Sequence, residues 1–161
     1  MPTVYLVVPC YNEEEVLPET RRRLEQKLRD MMESGRADTD SRILFVDDGS
    51  KDKTWELIAA YHEESPLISG LKLAHNRGHQ NALLAGLMTA KDLADCAISL
   101  DADLQDDIDV LDRFVDKYLE GCEVVYGVRN KRDTDTFFKR TTAVGFYRVM
   151  KLLGVDIVFN H

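Results

Sequence analysis

The chain lacks most of the features that would place it outside the ordinary globular class. Its three cysteines, Cys10, Cys96 and Cys122, include no Cys-x-x-Cys pair. That excludes a disulfide framework and a zinc module built on paired thiols, and fits reduced thiols in a reducing compartment. No apolar run approaches the roughly 18 residues a bilayer-crossing helix needs. Met1-Pro2-Thr3 leads straight into a strand-like run without a basic leader, so no secretory signal is expected. Basic charge is in the minority, with 21 Lys and Arg against 29 Asp and Glu. A net charge of −8 and an isoelectric point near 5.0 exclude general nucleic-acid binding, which rests on phosphate neutralisation. Repeats and low-complexity tracts are also missing.

What is present is an alternating pattern. The 161 residues, 44% of them apolar, suffice for one domain with its own core. Short apolar runs read as strands at Val4–Val8, Ile43–Val46, Leu67–Leu73, Cys96–Leu100 and Val124–Tyr126. Between them lie stretches with helical spacing, at Glu14 to Met32, from Asp52 through Tyr61, His79 to Leu93, and Ile108 to Leu119 ahead of Gly121. Gly35 to Ser41 reads as a polar, mobile loop. Buried strands alternating with helices predict an α/β fold, a mainly parallel sheet with helices on both faces. Ligands in such sheets bind at the carboxyl ends of the strands, and four polar clusters follow strands here.

The sharpest cluster is Asp101-Ala102-Asp103-Leu104-Gln105. Two carboxylates at i and i+2 past a buried strand can face one crevice, and their hard oxygens suit Mg²⁺ or Mn²⁺, with Gln105 adding a neutral oxygen. The competing reading is a solvated acidic loop in which Asp106, Asp107 and Asp109 stabilise a helix N-terminus. After the second strand, Asp47-Asp48-Gly49-Ser50 offers carboxylates to a base edge or a ribose. Equally, it is strand-to-helix turn chemistry with Ser50 or Asp52 as cap. A receiver-domain acidic pocket is a third reading, against which the second acidic motif argues. In the first loop, Pro9-Cys10-Tyr11-Asn12-Glu13-Glu14, Tyr11 offers an aromatic face to a nucleobase. Asn12 and Glu13 could fix the base or ribose. His75 and His79 flank Asn76-Arg77-Gly78 without a zinc-like partner set. Arg77 could reach a phosphate or cap the sheet edge.

In this order and spacing, Val8-Pro9-Cys10-Tyr11-Asn12-Glu13-Glu14, Val46-Asp47-Asp48-Gly49-Ser50, Asn76-Arg77-Gly78 and Asp101-Ala102-Asp103-Leu104-Gln105 resemble the family-2 glycosyltransferases. The resemblance covers about the first 130 residues and implies the Rossmann-like GT-A nucleotide-diphospho-sugar transferase fold. The Asp-Ala-Asp-Leu-Gln form and Tyr126-Gly127-Val128-Arg129 look like the polyprenyl-phosphate branch, which includes dolichol-phosphate mannose synthases and bactoprenol glucosyltransferases. The resemblance implies that Pro9, Tyr11, Asn12, Glu13, Asp47, Asp48, Arg77 and Gly78 surround a donor nucleotide, together with Asp101, Ala102 and Asp103. It implies that Asp101 and Asp103 are the catalytic pair and, with Gln105, hold Mg²⁺ or Mn²⁺ and the diphosphate. Arg129 and Arg140 would receive the acceptor's phosphate.

The activity so implied is inverting transfer of a sugar from a nucleotide-diphosphate donor, UDP before GDP, to a polyprenyl phosphate for the cell envelope. A saccharide acceptor, or a catalytically silent nucleotide-sugar-binding module, is the alternative. From Arg129 to Lys151 there are seven basic residues and two acidic ones, among aromatic and aliphatic side chains. That composition reads as an interfacial helix facing anionic lipid over 129–153, or as an amphipathic helix packed on the sheet. The family branch continues with a further Asp- and Arg-bearing segment and two membrane helices. The expectation is therefore one GT-A domain over 1–161, C-terminally truncated. Residues 1–128 would be its donor and metal part and 129–161 the start of its acceptor and membrane-interface part. The full-length protein would sit at the cytoplasmic face of the membrane, this chain alone being soluble. A homo-oligomer is compatible with the sequence.

Overall fold

A computed structural model of the chain describes residues 1–103, 105 and 107–127. Arg129, Arg140 and the basic 129–153 segment lie outside the described residues. Chain contacts divide the molecule into two units, Met1–Glu123 and Val124–His161, and the elements below belong to the first.

Strand β1 (Val4–Cys10) leads to helix α1 (Leu17–Glu33), β2 (Arg42–Asp47), α2 (Thr54–Glu64), β3 (Ile68–Lys72), α3 (His79–Ala90) and β4 (Cys96–Ser99). A 3₁₀ turn (Ile108–Val110) then runs into α4 (Leu111–Leu119). The strands form one parallel sheet in the order β3-β2-β1-β4. All seven residues of β1 are buried, as a central strand covered on both faces requires. One face sends Val4, Leu6, Val8, Ile43 and Phe45 against Leu17, Leu24, Leu28 and Met31 of α1, Ile58 of α2 and Leu111 of α4. The other sends Tyr5, Val7, Leu44 and Val46 against Ala82 and Ala90 of α3. This is the α/β architecture with helices on both faces that the alternating pattern predicts.

The differences from the sequence reading are local. Helix α1 begins at Leu17 rather than Glu14. The amides of Glu13 and Glu14 are drawn to Thr54 Oγ1 and Asp52 Oδ2, and Pro18 sits in the first turn, where a missing N–H costs little. The 35–41 segment is held by hydrogen bonds rather than left as a free polar loop. Asp38 accepts from Thr3 Oγ1 at 2.7 Å and from Asp40 N at 2.9 Å, its own amide donates to Pro2 O, and Ala37 is buried. Val124–Tyr126 is not a strand. Its β-branched composition suits a pleated surface, but composition alone supplies no neighbouring strand to pair with.

Candidate functional site

The strand order reverses beside β1. The chain steps outward through β2 and β3, then crosses back to place β4 on the other side of β1. Loops leaving β1 and β4 therefore diverge at this point, and a crevice opens outside the carboxyl ends of the strands. Both of the strongest sequence motifs, the first loop and the Asp101–Gln105 run, emerge there. An open cleft of about 180 Å³ lies at this edge, lined by Pro9, His79, Leu83, Ser99, Leu100 and Asp101.

The first and second loops are zipped together by hydrogen bonds. Asn12 takes a left-handed backbone conformation, φ 56°, which Asn tolerates better than most residues. Its amide donates to Ser50 Oγ at 2.9 Å, and its side-chain Oδ1 accepts from Lys51 N at 2.8 Å. Glu14 accepts from Lys53 N, and Asp48 N donates to Cys10 O. Burial works to raise the Asp52 carboxyl, but hydrogen bonds from Thr54 and Glu14 outweigh it and hold the group below its usual range. Gly49 cannot be replaced without movement. Its φ is +68°, and an added Cβ would lie 2.6 Å from the backbone of His75 and Asn76.

The two aspartates of the second loop diverge. Asp48 is buried, with Oδ1 accepting from Arg77 N at 2.7 Å and Oδ2 from Gly78 N at 2.8 Å. It thereby fixes the loop that opens α3, where Gly78 takes φ 87° as N-cap. Asp47 is fully buried, pairs in register with Cys10, and accepts on Oδ1 from Ser50 N, while its Oδ2 has no hydrogen-bond partner among the described residues. Burial, with Glu13 and Asp47 beside it, pushes the Cys10 thiol far above the usual range, so Cys10 is an inert core group.

Across the switch point, Asp101 and Asp103 are exposed while Ala102 between them is 4% exposed and packs into the core. Both carboxylates thus face solvent on either side of one anchored residue. Asp101 Oδ1 lies 3.9 Å from His79 Nε2. Asp103 Oδ1 accepts from Gln105 N at 3.1 Å. Glu13 feels both aspartates. Burial first, then Asp103, Asp52 and Asp101, raise its carboxyl above the usual range. The result is a concentration of negative charge at the crevice, against which, among the described residues, the ion-pair contacts set only the His79 imidazole. Tyr11, two residues before Glu13 in the first loop, is 39% exposed.

Of the residues expected at the site, Pro9 and Asp101 line the cleft, Glu13 lies within electrostatic reach of Asp101 and Asp103, and Tyr11 and Gly78 belong to the loops that follow β1 and precede α3. Both Asp48 oxygens and one Asp47 oxygen are taken by backbone amides, and Asn12 is bonded to the second loop. One residue escaped sequence reasoning. Thr20, buried on α1, donates its hydroxyl to Ala102 O. Its only signal was a polar side chain at an apolar position, between Leu17 and Leu24.

Comparisons with known proteins bear on the family and the fold. The family model described as Glycosyl transferase family 2 matches residues 5–160. This chain belongs to that family. Among its family-2 relatives, the uncharacterized glycosyltransferase YkoT of Bacillus subtilis (strain 168) is 59% identical over 99% of this chain and 48% of its own length. The bactoprenol glucosyl transferase of Shigella phage SfX is 38% identical over 91% of this chain and 45% of its own length. The chain spans about half the length of these curated relatives. The mannosyltransferase PcManGT from Pyrobaculum calidifontis, solved in complex with GDP-Man and Mn²⁺, superposes with a TM-score of 0.62 at 24% identity. That superposition covers 92% of this chain and 38% of that one. The family-2 fold expected from the sequence is the fold found.

Proposed function

We propose that this family-2 chain is the donor-binding part of an inverting glycosyltransferase that moves a sugar from a nucleotide diphosphate, UDP before GDP, to a polyprenyl phosphate. The observation that carries the reading is the convergence of Glu13, Asp101 and Asp103 at the switch point of a parallel sheet. Clustered, solvent-facing carboxylates close to a helix N-terminus are what a cation-bridged nucleotide diphosphate complements.

The donor set fits a divalent cation of the Mg²⁺ or Mn²⁺ kind. Asp101 and Asp103 present hard oxygens to solvent, with Gln105 exposed next to them. Among the described residues no group of three or more Asp, Glu, His or Cys closes around a point. The remaining ligands would be diphosphate oxygens and water, the arrangement Mg²⁺ favours. When bound, such an ion neutralises charge that develops on the leaving diphosphate. The protein's own residues do the positioning. Tyr11 offers its ring to the base, Glu13 faces the ribose side, and Asp48 holds the Arg77–Gly78 backbone that starts α3. Asp47 braces the second loop by accepting from Ser50 N.

A polyprenyl-phosphate acceptor is the reading that the named bactoprenol relatives favour. Such an acceptor is already anionic, so it needs guanidinium groups to position it rather than a strong base. Arg129 and Arg140 are the candidates. Residues 1–128 would bind donor and metal, and 129–161 would begin the acceptor and membrane-facing part. No described helix is long and apolar enough to cross a membrane.

A thermal-shift panel tests the reading. UDP-sugars and GDP-sugars, each with and without Mn²⁺, should raise the melting temperature of this chain by several degrees at saturation, since ligand at about 100 times Kd adds about 2.7 kcal/mol. The shift should need Mn²⁺ and vanish in Asp103→Ala. Absence of any cation-dependent shift, or an unchanged one in that variant, would overturn it. In the longer protein, Arg129→Ala should raise the KM for acceptor phosphate more than that for donor.

A further inference from the structure

The Asp101-Ala102-Asp103 segment is held at three points. Upstream, Leu100 N donates to Val7 O at 3.0 Å and continues the β4 ladder. Downstream, Lys27 of α1 pairs with Asp112 at 2.8 Å and reaches Asp109 at 3.8 Å. Between them Thr20 Oγ1 holds the segment's middle residue, 2.5 Å from Ala102 O.

A threonine hydroxyl has one proton. Thr20 Oγ1 also lies 3.0 Å from Val16 O, the local i−4 carbonyl that helical threonines commonly use. Val16 O already accepts from the backbone amides of Thr20 and Glu19, so it does not need the hydroxyl. The shorter contact and the unmet demand both assign the proton to Ala102 O. Thr20 is 2% exposed, so water cannot readily replace it there.

We propose that Thr20 is a positioning residue for the Asp101/Asp103 pair, fixing the Ala102 carbonyl so that both carboxylates keep a common outward aim. Its ligand-binding consequence rests on the donor-and-cation reading above; the structural tie does not. Ala102 is buried at the start of a turn with an exposed aspartate on either side, so one anchored residue between them bears on the direction of both. Lys27, two turns further along α1, holds the downstream flank against the same helix.

The test compares Thr20→Val, which keeps shape and loses the proton, with Thr20→Ser, which keeps the hydroxyl, and with Thr20→Ala should Val disturb packing. Hydrogen–deuterium exchange over residues 100–105 should accelerate several-fold in Thr20→Val and Thr20→Ala. Exchange in β1 and β2 should stay as in the parent, and Thr20→Ser should restore slow exchange. Titration of the same proteins with UDP plus Mn²⁺ should show a Kd about tenfold higher for Val than for Ser, the upper range for one net hydrogen bond. Unchanged exchange at 100–105 in Thr20→Val, or equal loss in Thr20→Ser, overturns the positioning role. Faster exchange with unchanged Kd for UDP plus Mn²⁺ overturns its link to the site. If the parent chain shows no cation-dependent UDP binding while exchange responds as expected, the donor-and-cation reading fails and the tie stands.

Discussion

Asp48 closes both carboxylate oxygens on the start of α3, with Oδ1 taking the amide of Arg77 at 2.7 Å and Oδ2 that of Gly78 at 2.8 Å. A carboxylate that the motif offers to a ligand is thus spent on joining the second loop to the third. Asp48→Asn keeps one acceptor and turns an N–H₂ toward a backbone N–H. It should cost about 1–3 kcal/mol, read as a lower urea midpoint with unchanged slope. A midpoint equal to the parent's would show that these bonds contribute nothing net.

Gly86 offers a sharper test of packing. In an exposed helix, Gly→Ala is worth about 1 kcal/mol in the stabilising direction. Here an added Cβ would lie 2.4 Å from Val7 Cγ1 and 2.8 Å from Val46 Cγ2. Gly86→Ala should therefore destabilise by about 1–3 kcal/mol, and Val7→Ala should recover part of that loss in the double variant. Stabilisation by Gly86→Ala alone would mean that α3 lies further from the sheet.

Asp38 supplies a pH test. The Thr3 hydroxyl, with the Asp40 amide and the Ser41 hydroxyl, holds its carboxyl below the ordinary 3.8. The stability it contributes is fully present above that value and is lost as pH falls through the lower folded one. The difference in unfolding free energy between the parent and Asp38→Asn should be flat from about pH 7 to about pH 5 and shrink below 3.8. A difference that grows on acidification would contradict the assignment.

The three thiols should separate by reactivity. Cys122 is exposed, Cys10 is buried with its thiol pushed far up, and burial beside Asp95 pushes Cys96 up to about 11. A chromogenic disulfide at about pH 8 should label Cys122 first. Cys96 should follow slowly, speeding up about tenfold per pH unit below its own value, and Cys10 should react only on unfolding. Fast labelling of Cys10 in the folded chain would show that the first loop opens.

Much of this molecule was legible in the order of its residues. Continuous apolar runs such as Val4–Val8 can only be strands covered on both faces, and helical spacing between them forces parallel crossovers. The positions of the acidic motifs after strands then place them at the carboxyl edge. Gly49 and Gly121 mark turns because their positive φ excludes most side chains.

The sequence by itself therefore determined the α/β class, the strand and helix succession and the edge on which the polar clusters lie, because local periodicity and buried apolar area depend on residues close in the chain. Only the tertiary structure decided that Asp47 and Asp48 face inward to the protein's own amides, that the first loop is bonded to the second, that Val124–Tyr126 is not a strand, and that Thr20 reaches Ala102 across 82 positions. Each of these depends on which donor meets which acceptor once distant segments pack. Hydrogen bonding is directional and short-ranged, so no local pattern encodes its outcome.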